Sequence, residues 1–155
     1  MNAFLDNAPG FAVTYITGKT GFTSPTWAGN PCFGVDATPE IDVQQPLGTS
    51  LEDCTAKKSF GTLAVGQSGL AKPFTIKNTG ASDLTGLVVS VDGTNAGNFI
   101  IRRASKTTLL PGESTIFKIS FKPTASGTRT AALHIKSNDA DENPFDIKLM
   151  GLGAL

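Results

Sequence analysis

The residues best suited to chemistry lie in one short stretch, NDADEN at residues 138–143, where acidic and amide side chains alternate. Asp139, Asp141 and Asn143 have the one-three-five spacing of the ligands in a calcium-binding EF-hand loop. That loop requires glycine at its sixth position, where this chain has Pro144, so an EF-hand is excluded. A looser calcium site is one alternative, but three oxygens fall short of the roughly six to eight that calcium takes. Asx residues before a proline are also typical of a turn between strands, and we interpret the stretch as such a turn.

His134 is the only histidine, and no motif supplies it with a nucleophile. It stands between Leu133 and Ile135, so the two-residue period of a strand would point it toward solvent. The sequence contains no GxSxG, no phosphate-binding loop and no GxGxxG. Zinc is disfavoured because one histidine and two cysteines without CxxC spacing make a poor ligand set. We therefore predict a protein that is not an enzyme, with no catalytic residues and no cofactor apart from the calcium alternative.

The two cysteines, Cys32 and Cys54, are 22 positions apart. A disulfide between them would stabilise the fold by about 3 kcal/mol on a chain-entropy estimate. Free buried thiols are the structural alternative, and the sequence leaves both open.

Two groups of side chains are candidates for a contact surface. The first consists of lysines that share an outward parity with His134 on three late strands: Lys118, Lys122, Lys136 and Lys148. They could present one basic face to an anionic partner, although lysine on outer faces also keeps strands soluble. Nucleic acid is disfavoured because no exposed aromatic residues are interleaved with the lysines. The second candidate is Trp27, with Tyr15, as a platform for a glycan.

The elements that would position these residues are strands. From residue 39 onward, apolar and polar residues alternate with a period of two, and segments such as NTG, VDG, LLPGES and KPTASGT supply turns. Seven or eight strands at this spacing predict an all-β fold, an immunoglobulin-like antiparallel β-sandwich of seven to eight strands with an N-terminal strand/loop extension. The expected core includes Phe74, Leu87, Val89, Phe117, Phe121, Leu133 and Phe145.

The N-terminal part of the chain differs from the rest in composition and charge. Residues 1–56 carry a net charge of −5 and residues 57–155 a net charge of +5. This asymmetry is either chance or a sign that the acidic part packs on the basic part, in the same chain or the next. We predict that residues 1–38 are an extension or the remnant of a preceding domain and that residues 39–155 form the sandwich. The alternative is that the run Phe11–Ile16 pairs with the sheet edge of a neighbouring copy.

Residues 39–153 resemble the choice-of-anchor D repeat of bacterial surface proteins, which is related to abnormal-spindle/hydin-type immunoglobulin-like domains. The resemblance rests on cues in family order: FGT, FTIKNTG, LPGES, FKPTASGTRTA, SNDADENPF and the closing GLG. It implies an immunoglobulin-like β-sandwich, repeated in large and often secreted proteins, without catalytic residues or an established ligand site. The family pattern does not extend to residues 1–38.

These observations predict a non-catalytic structural or adhesive module of a bacterial surface or secreted protein, self-associating head-to-tail through its N-terminal segment. Its expected partners are proteins, either copies of itself or adjacent domains, with glycan as a further candidate and neither nucleic acid nor membrane insertion. The expected location is extracellular or at the cell surface, or cytoplasmic if the starting methionine is the true one. The alternatives are an intracellular scaffold domain that binds cytoskeletal partners and an accessory glycan-binding domain of a larger enzyme.

Overall fold

The computed structural model describes residues 37–155 in full and, nearer the N-terminus, the backbone of three short strands. These are β1 (Val13–Ile16), β2 (Thr26–Trp27) and β3 (Asn30–Val35). They form one sheet in the order β1-β3-β2, in which β1 runs parallel and β2 antiparallel to β3. The chain divides into two units, Met1–Ala37 and Thr38–Leu155. That the first unit is an extension or a remnant of a preceding domain stays a prediction.

The second unit is built from eight strands. They are β4 (Ile41–Gln44), β5 (Lys57–Ala64), β6 (Lys72–Asn78), β7 (Val88–Asp92), β8 (Phe99–Arg102), β9 (Ser114–Phe121), β10 (Gly127–Lys136) and β11 (Phe145–Ala154). One sheet, here called the β10 sheet, has the order β5-β11-β10-β7, and the other, the β9 sheet, has the order β4-β6-β9-β8. The only helix among the described residues is a single 3-10 turn at Ala96–Asn98. The predicted all-β, immunoglobulin-like sandwich is confirmed.

The core lies between the two sheets and follows the alternation in the sequence. In β9, for example, Thr115, Phe117, Ile119 and Phe121 are buried, whereas Ile116 and Lys118 are exposed. The rings of Phe74 and Phe117 stack with centroids 5.1 Å apart. All seven predicted core residues are buried: Phe74, Leu87, Val89, Phe117, Phe121, Leu133 and Phe145.

One strand differs in direction from the antiparallel pattern expected. β5 runs parallel to β11, with an irregularity in the pairing between Met150 and Leu152. Alternation of side chains reports which face is buried but not which way a strand runs, so the sequence pattern could not reveal this pairing.

The closing GLG of the sequence has a steric explanation. Gly151 and Gly153 point inward from β11. A Cβ atom on Gly151 would lie 2.6 Å from the ring of Phe121, and one on Gly153 would lie 2.2 Å from the carbonyl oxygen of Ala125. Any side chain at either position would displace the core or the backbone of the loop before β10.

Asn78 of the FTIKNTG stretch is a fully buried amide that holds three segments together. Its Nδ2 donates to the carbonyl oxygens of Ser82, at 2.7 Å, and Leu109, at 3.0 Å. Its Oδ1 accepts from the amides of Gly80, at 3.0 Å, and Glu40, at 3.4 Å. Asn78 thereby fixes the segment that leads into β4.

Among the described residues, no helix has both the length and the apolar character needed to cross a membrane.

Candidate functional site

The segment that joins β10 to β11 contains the predicted calcium ligands, and backbone amides hold it in place. Asp139 is almost fully buried, and its Oδ2 accepts a hydrogen bond of 2.8 Å from the amide of Ile41 at the start of β4. Its Oδ1 accepts a longer bond of 3.4 Å from the amide of Asp141. Asn143 accepts from the amide of Ser137 at 3.2 Å and so closes the loop. The stretch is a loop between two strands, as the turn interpretation requires.

Three carboxylates meet at this end of the sandwich. Glu40, Asp139 and Asp141 can each place an oxygen within 4.8 Å of the other two. The structure thus brings together the carboxylates of two predicted ligands, Asp139 and Asp141, and adds Glu40, which the sequence reasoning did not select. Calcium prefers hard oxygen ligands of this kind, and its binding here stays a prediction.

Burial and neighbouring negative charges shift the pKa of two glutamates at this end of the sandwich. Burial raises the pKa of Glu142 to about 7, with further contributions from the charges of Glu40, Asp139, Asp53 and Asp141. Burial, Asp139 and Asp141 also raise the pKa of Glu40. We call Glu40, Asp139, Asp141 and Glu142 the acidic cluster, in which the charges of Asp139 and Asp141 oppose ionisation of Glu40 and Glu142.

A second polar cluster surrounds His134 on the outer face of the β10 sheet. His134 Nδ1 lies 2.6 Å from Asp146 Oδ1 on β11. Its Nε2 lies 3.1 Å from Asp92 Oδ1 on β7, without the geometry of a hydrogen bond. The side chain of His134 is only 22% exposed. His134 thus lies on the outer face of the sheet, as the period of two predicts, and two carboxylates flank it.

The same cluster continues to the loop before β5. The carboxylate of Asp53 accepts from the amide of Asp146 at 2.5 Å, and its other oxygen accepts from the thiol of Cys54 at 3.3 Å. We call His134, Asp92, Asp146 and Asp53 the histidine cluster. It joins β7, β10, β11 and one loop.

The charges of the histidine cluster shift the titration of His134. Burial alone lowers the pKa of the imidazole, but the hydrogen bond to Asp146 and the nearby charges of Asp146 and Asp92 outweigh that effect. The net result is that the pKa of His134 is raised, and its protonated form is stabilised. The attraction of His134 on β10 to Asp92 on β7 and Asp146 on β11 stabilises the pairing of these three strands.

Cys54 is exposed and lies in a left-handed backbone conformation with φ of 59°. The hydrogen bond to Asp53, burial and the charges of Asp53 and Asp146 raise the pKa of its thiol. Because the thiolate is the reactive form, a raised pKa makes Cys54 a weak nucleophile. A groove of about 350 Å³ beside Cys54 is lined mainly by β10 and β11, including Thr130, Ala132 and Lys148.

The four candidate lysines do not form one face. Lys118 lies in β9 and Lys122 directly follows that strand, whereas Lys136 and Lys148 lie in the β10 sheet. All four are exposed. The outer faces of two packed sheets point in opposite directions, so the prediction of a single basic face was wrong. The parity of a residue along a strand indicates whether its side chain lies on the inner or the outer face, but it does not indicate to which sheet the strand belongs.

The remaining candidates lie in the first unit. Tyr15 is in β1, Trp27 in β2 and Cys32 in β3, but their side chains lie outside the described residues. The glycan platform and the disulfide between Cys32 and Cys54 therefore stay predictions.

Comparison with known proteins identifies a family and a set of similar folds. Residues 50–154 match the family model described as Cep192 domain 4. No curated protein matches the sequence. Among solved structures, a protein of unknown function from Porphyromonas gingivalis W83 resembles the chain with a TM-score of 0.58 and 19% identity, over 79% of this chain and 53% of that one.

Two further structures resemble the chain with TM-scores of 0.50. They are the Vibrio cholerae VesB protease, at 15% identity over 74% of this chain and 32% of that one, and a family 123 glycoside hydrolase from Clostridium perfringens, at 10% identity over 76% of this chain and 28% of that one. The chain thus spans about half the length of the first similar structure and about a third or less of the other two. At these identities the likeness shows the fold alone.

Proposed function

We propose a function from one premise: the chain belongs to the Cep192 domain 4 family. The family supports a non-catalytic, immunoglobulin-like module, and we further propose that the module is a structural or adhesive unit of a longer bacterial surface or secreted protein. The choice-of-anchor D resemblance of residues 39–153 supports the surface setting. The similar structures support the modular part of the proposal, because each is a much longer chain of which this fold is one portion.

The observation that carries the proposal is that the clustered carboxylates bind groups of the sandwich itself. Asp139 accepts from the backbone of β4, and Asp53 accepts from the backbone of β11. His134 is held between Asp92 and Asp146 on neighbouring strands. Carboxylates with such partners stabilise the packing of strands in the sandwich. A catalytic base, by contrast, has to reach the proton that it abstracts from a substrate.

Immunolabelling of the native organism tests the surface setting. Antibodies against residues 38–155 are expected to label intact cells or the medium, with an antibody against an internal enzyme as the control. Labelling that requires permeabilised cells would contradict the proposal and favour the intracellular scaffold that binds cytoskeletal partners.

A second part of the proposal is head-to-tail self-association through the N-terminal segment. It is supported by the net charges of −5 on residues 1–56 and +5 on residues 57–155. Light scattering of the full chain is expected to show oligomers that grow with protein concentration and dissociate as salt is added, because salt screens surface charges beyond a Debye length of about 10 Å at 0.1 M. A monomeric mass under every condition would contradict self-association and leave the module as a spacer.

A second candidate function is an accessory glycan-binding domain of a larger enzyme. The observation that favours it is that two of the similar structures belong to a protease and a glycoside hydrolase. A glycan array probed with the full chain and with Trp27→Ala tests this candidate. Binding that is lost in the variant would support it, and the absence of any bound glycan would contradict it.

A further inference from the structure

A slot of about 140 Å³ opens between β7 and the segment that follows β8. Its deepest lining is apolar, because Ile76, Leu87 and Val89 are each less than a tenth exposed. Val88, Ala104 and Thr107 line its sides, and the exposed residues Arg103 and Lys106 stand at its mouth. The slot therefore joins an apolar interior to a cationic rim.

The size of the slot matches one large apolar side chain. A cavity of about 150 Å³ with an apolar lining holds a group of the size of benzene. The slot has nearly this volume, and half-exposed Val88 extends its apolar lining toward the surface. A single ring or branched aliphatic group is thus the occupant that the interior accepts.

The strand beside the slot has a free edge. β7 pairs with β10 on one side and is the last strand of its sheet. On its other side Val88–Asp92 has no backbone partner among residues 37–155, whereas the segment before the strand is paired: the amide of Leu87 donates to the carbonyl oxygen of Thr107 at 3.1 Å, and Leu84 and Leu109 form an antiparallel bridge. Unpaired amides and carbonyls along an edge are a template for an added strand from another chain.

Two cationic side chains line this slot, Arg103 and Lys106. Among residues 37–155, Lys106 forms an ion pair with Glu113 at 3.0 Å and Arg103 forms none. An arginine without a carboxylate partner beside an apolar slot favours a ligand that carries negative charge.

We propose that this slot binds an extended, acidic segment of another protein. The segment adds a strand to the free edge of β7, inserts one large apolar side chain over Leu87 and Val89, and places a carboxylate on Arg103. This inference goes beyond the proposed function and does not depend on self-association, so a monomeric mass in light scattering leaves it intact.

Selection from a random peptide display library on the full chain tests the proposal. The expected result is enrichment of peptides in which a large aliphatic or aromatic residue stands close to aspartate or glutamate. Binding of these peptides to the Arg103→Glu variant is expected to weaken by at least about tenfold, since a charge-assisted contact becomes a repulsion. A new selection on that variant is expected to enrich lysine and arginine instead.

Two further variants separate the slot from general charge effects. Lys57→Glu makes the same change of sign on β5, at the opposite edge of the same sheet, and is expected to bind the selected peptides as the unchanged chain does. Ala104→Leu fills the slot from its side and is expected to weaken binding about tenfold while the melting temperature is maintained.

Three results would overturn the proposal: no enrichment above a blank support, enriched peptides without acidic residues, or an equal loss of binding in Lys57→Glu and Arg103→Glu.

Discussion

Glu142 of the acidic cluster and His134 of the histidine cluster both have a raised pKa, but for opposite reasons. Glu142 resists ionisation because burial and four neighbouring carboxylates disfavour its charged form. His134 retains its proton because Asp146 and Asp92 favour its charged form, against the effect of burial. A raised pKa thus marks repulsion in one region and attraction in the other, and substitution of the titrating residue distinguishes the two cases.

The largest effect is expected from the anchor of the acidic cluster. Asp139→Ala removes the acceptor of the buried bond from the Ile41 amide, and we expect a loss of about 2 kcal/mol of unfolding free energy because a buried donor is left unpaired. Urea denaturation measures it. The matched control is Asp141→Ala, which removes the same charge from an exposed position and is expected to change stability by less than about 0.5 kcal/mol. Equal losses in the two variants would show that charge, and not the bond to β4, decides the stability of this loop.

Replacement of the repelled carboxyl should stabilise the protein. The pKa of Glu142 rises from 4.5 to about 7 on folding, so its contribution to stability is present below pH ~4.5 and is lost as the pH rises toward 7. We expect Glu142→Gln to match the unchanged chain at pH ~4 and to exceed it by about 1 kcal/mol above pH ~7, after allowance for solvent screening. Melting curves across this range measure the difference, and a difference that does not change with pH would contradict the assignment.

The opposite sign is expected from the histidine cluster. Because folding raises the pKa of His134, its contribution is fully present below the ordinary histidine pKa of about 6.5 and is lost as the pH rises through the folded value. We expect His134→Gln to be less stable by about 1 kcal/mol at pH ~5.5, and the difference to shrink as the pH rises through the folded pKa of His134. Denaturant melts across a series of pH values measure this. Destabilisation that persists undiminished at the higher pH would indicate lost packing and no ionic contribution.

The smallest effect is expected from salt. At a pH above the folded pKa of His134, where the imidazole is neutral, added salt should raise the unfolding free energy by a few tenths of a kcal/mol by screening the acidic cluster. Glu142→Gln should lose part of this response, and His134→Gln should keep it. Melting temperatures at low and high salt compare the three proteins, and an identical salt response in all three would show that the acidic cluster is already screened.

The sequence predicted the fold because alternation records burial directly. Phe117, Phe121 and Leu133 were assigned to the core from their parity alone, and each is buried. The same alternation does not indicate the direction of a strand or the sheet to which it belongs. The parallel course of β5 and the separation of Lys118 from Lys148 therefore depend on the topology.

Each of the two clusters also combines residues that are close in the sequence with residues that are distant in it. The pairing of His134 with Asp146 lies within one hairpin, and counting outward from the NDADENP loop could have found it. Asp92 and Asp53 come from remote parts of the chain, and so does Glu40 in the acidic cluster. Only the tertiary fold brings these three carboxylates to their partners.

The parallel pairing of β5 with β11 has a mechanical consequence. If the module is stretched between the segment before β5 and the segment after β11, the two strands are pulled in opposite directions along their length. Their backbone hydrogen bonds then bear the load together, in shear, whereas an antiparallel hairpin pulled from its open end unzips one pair at a time. A string of such modules would resist tension through the junction between β5 and β11.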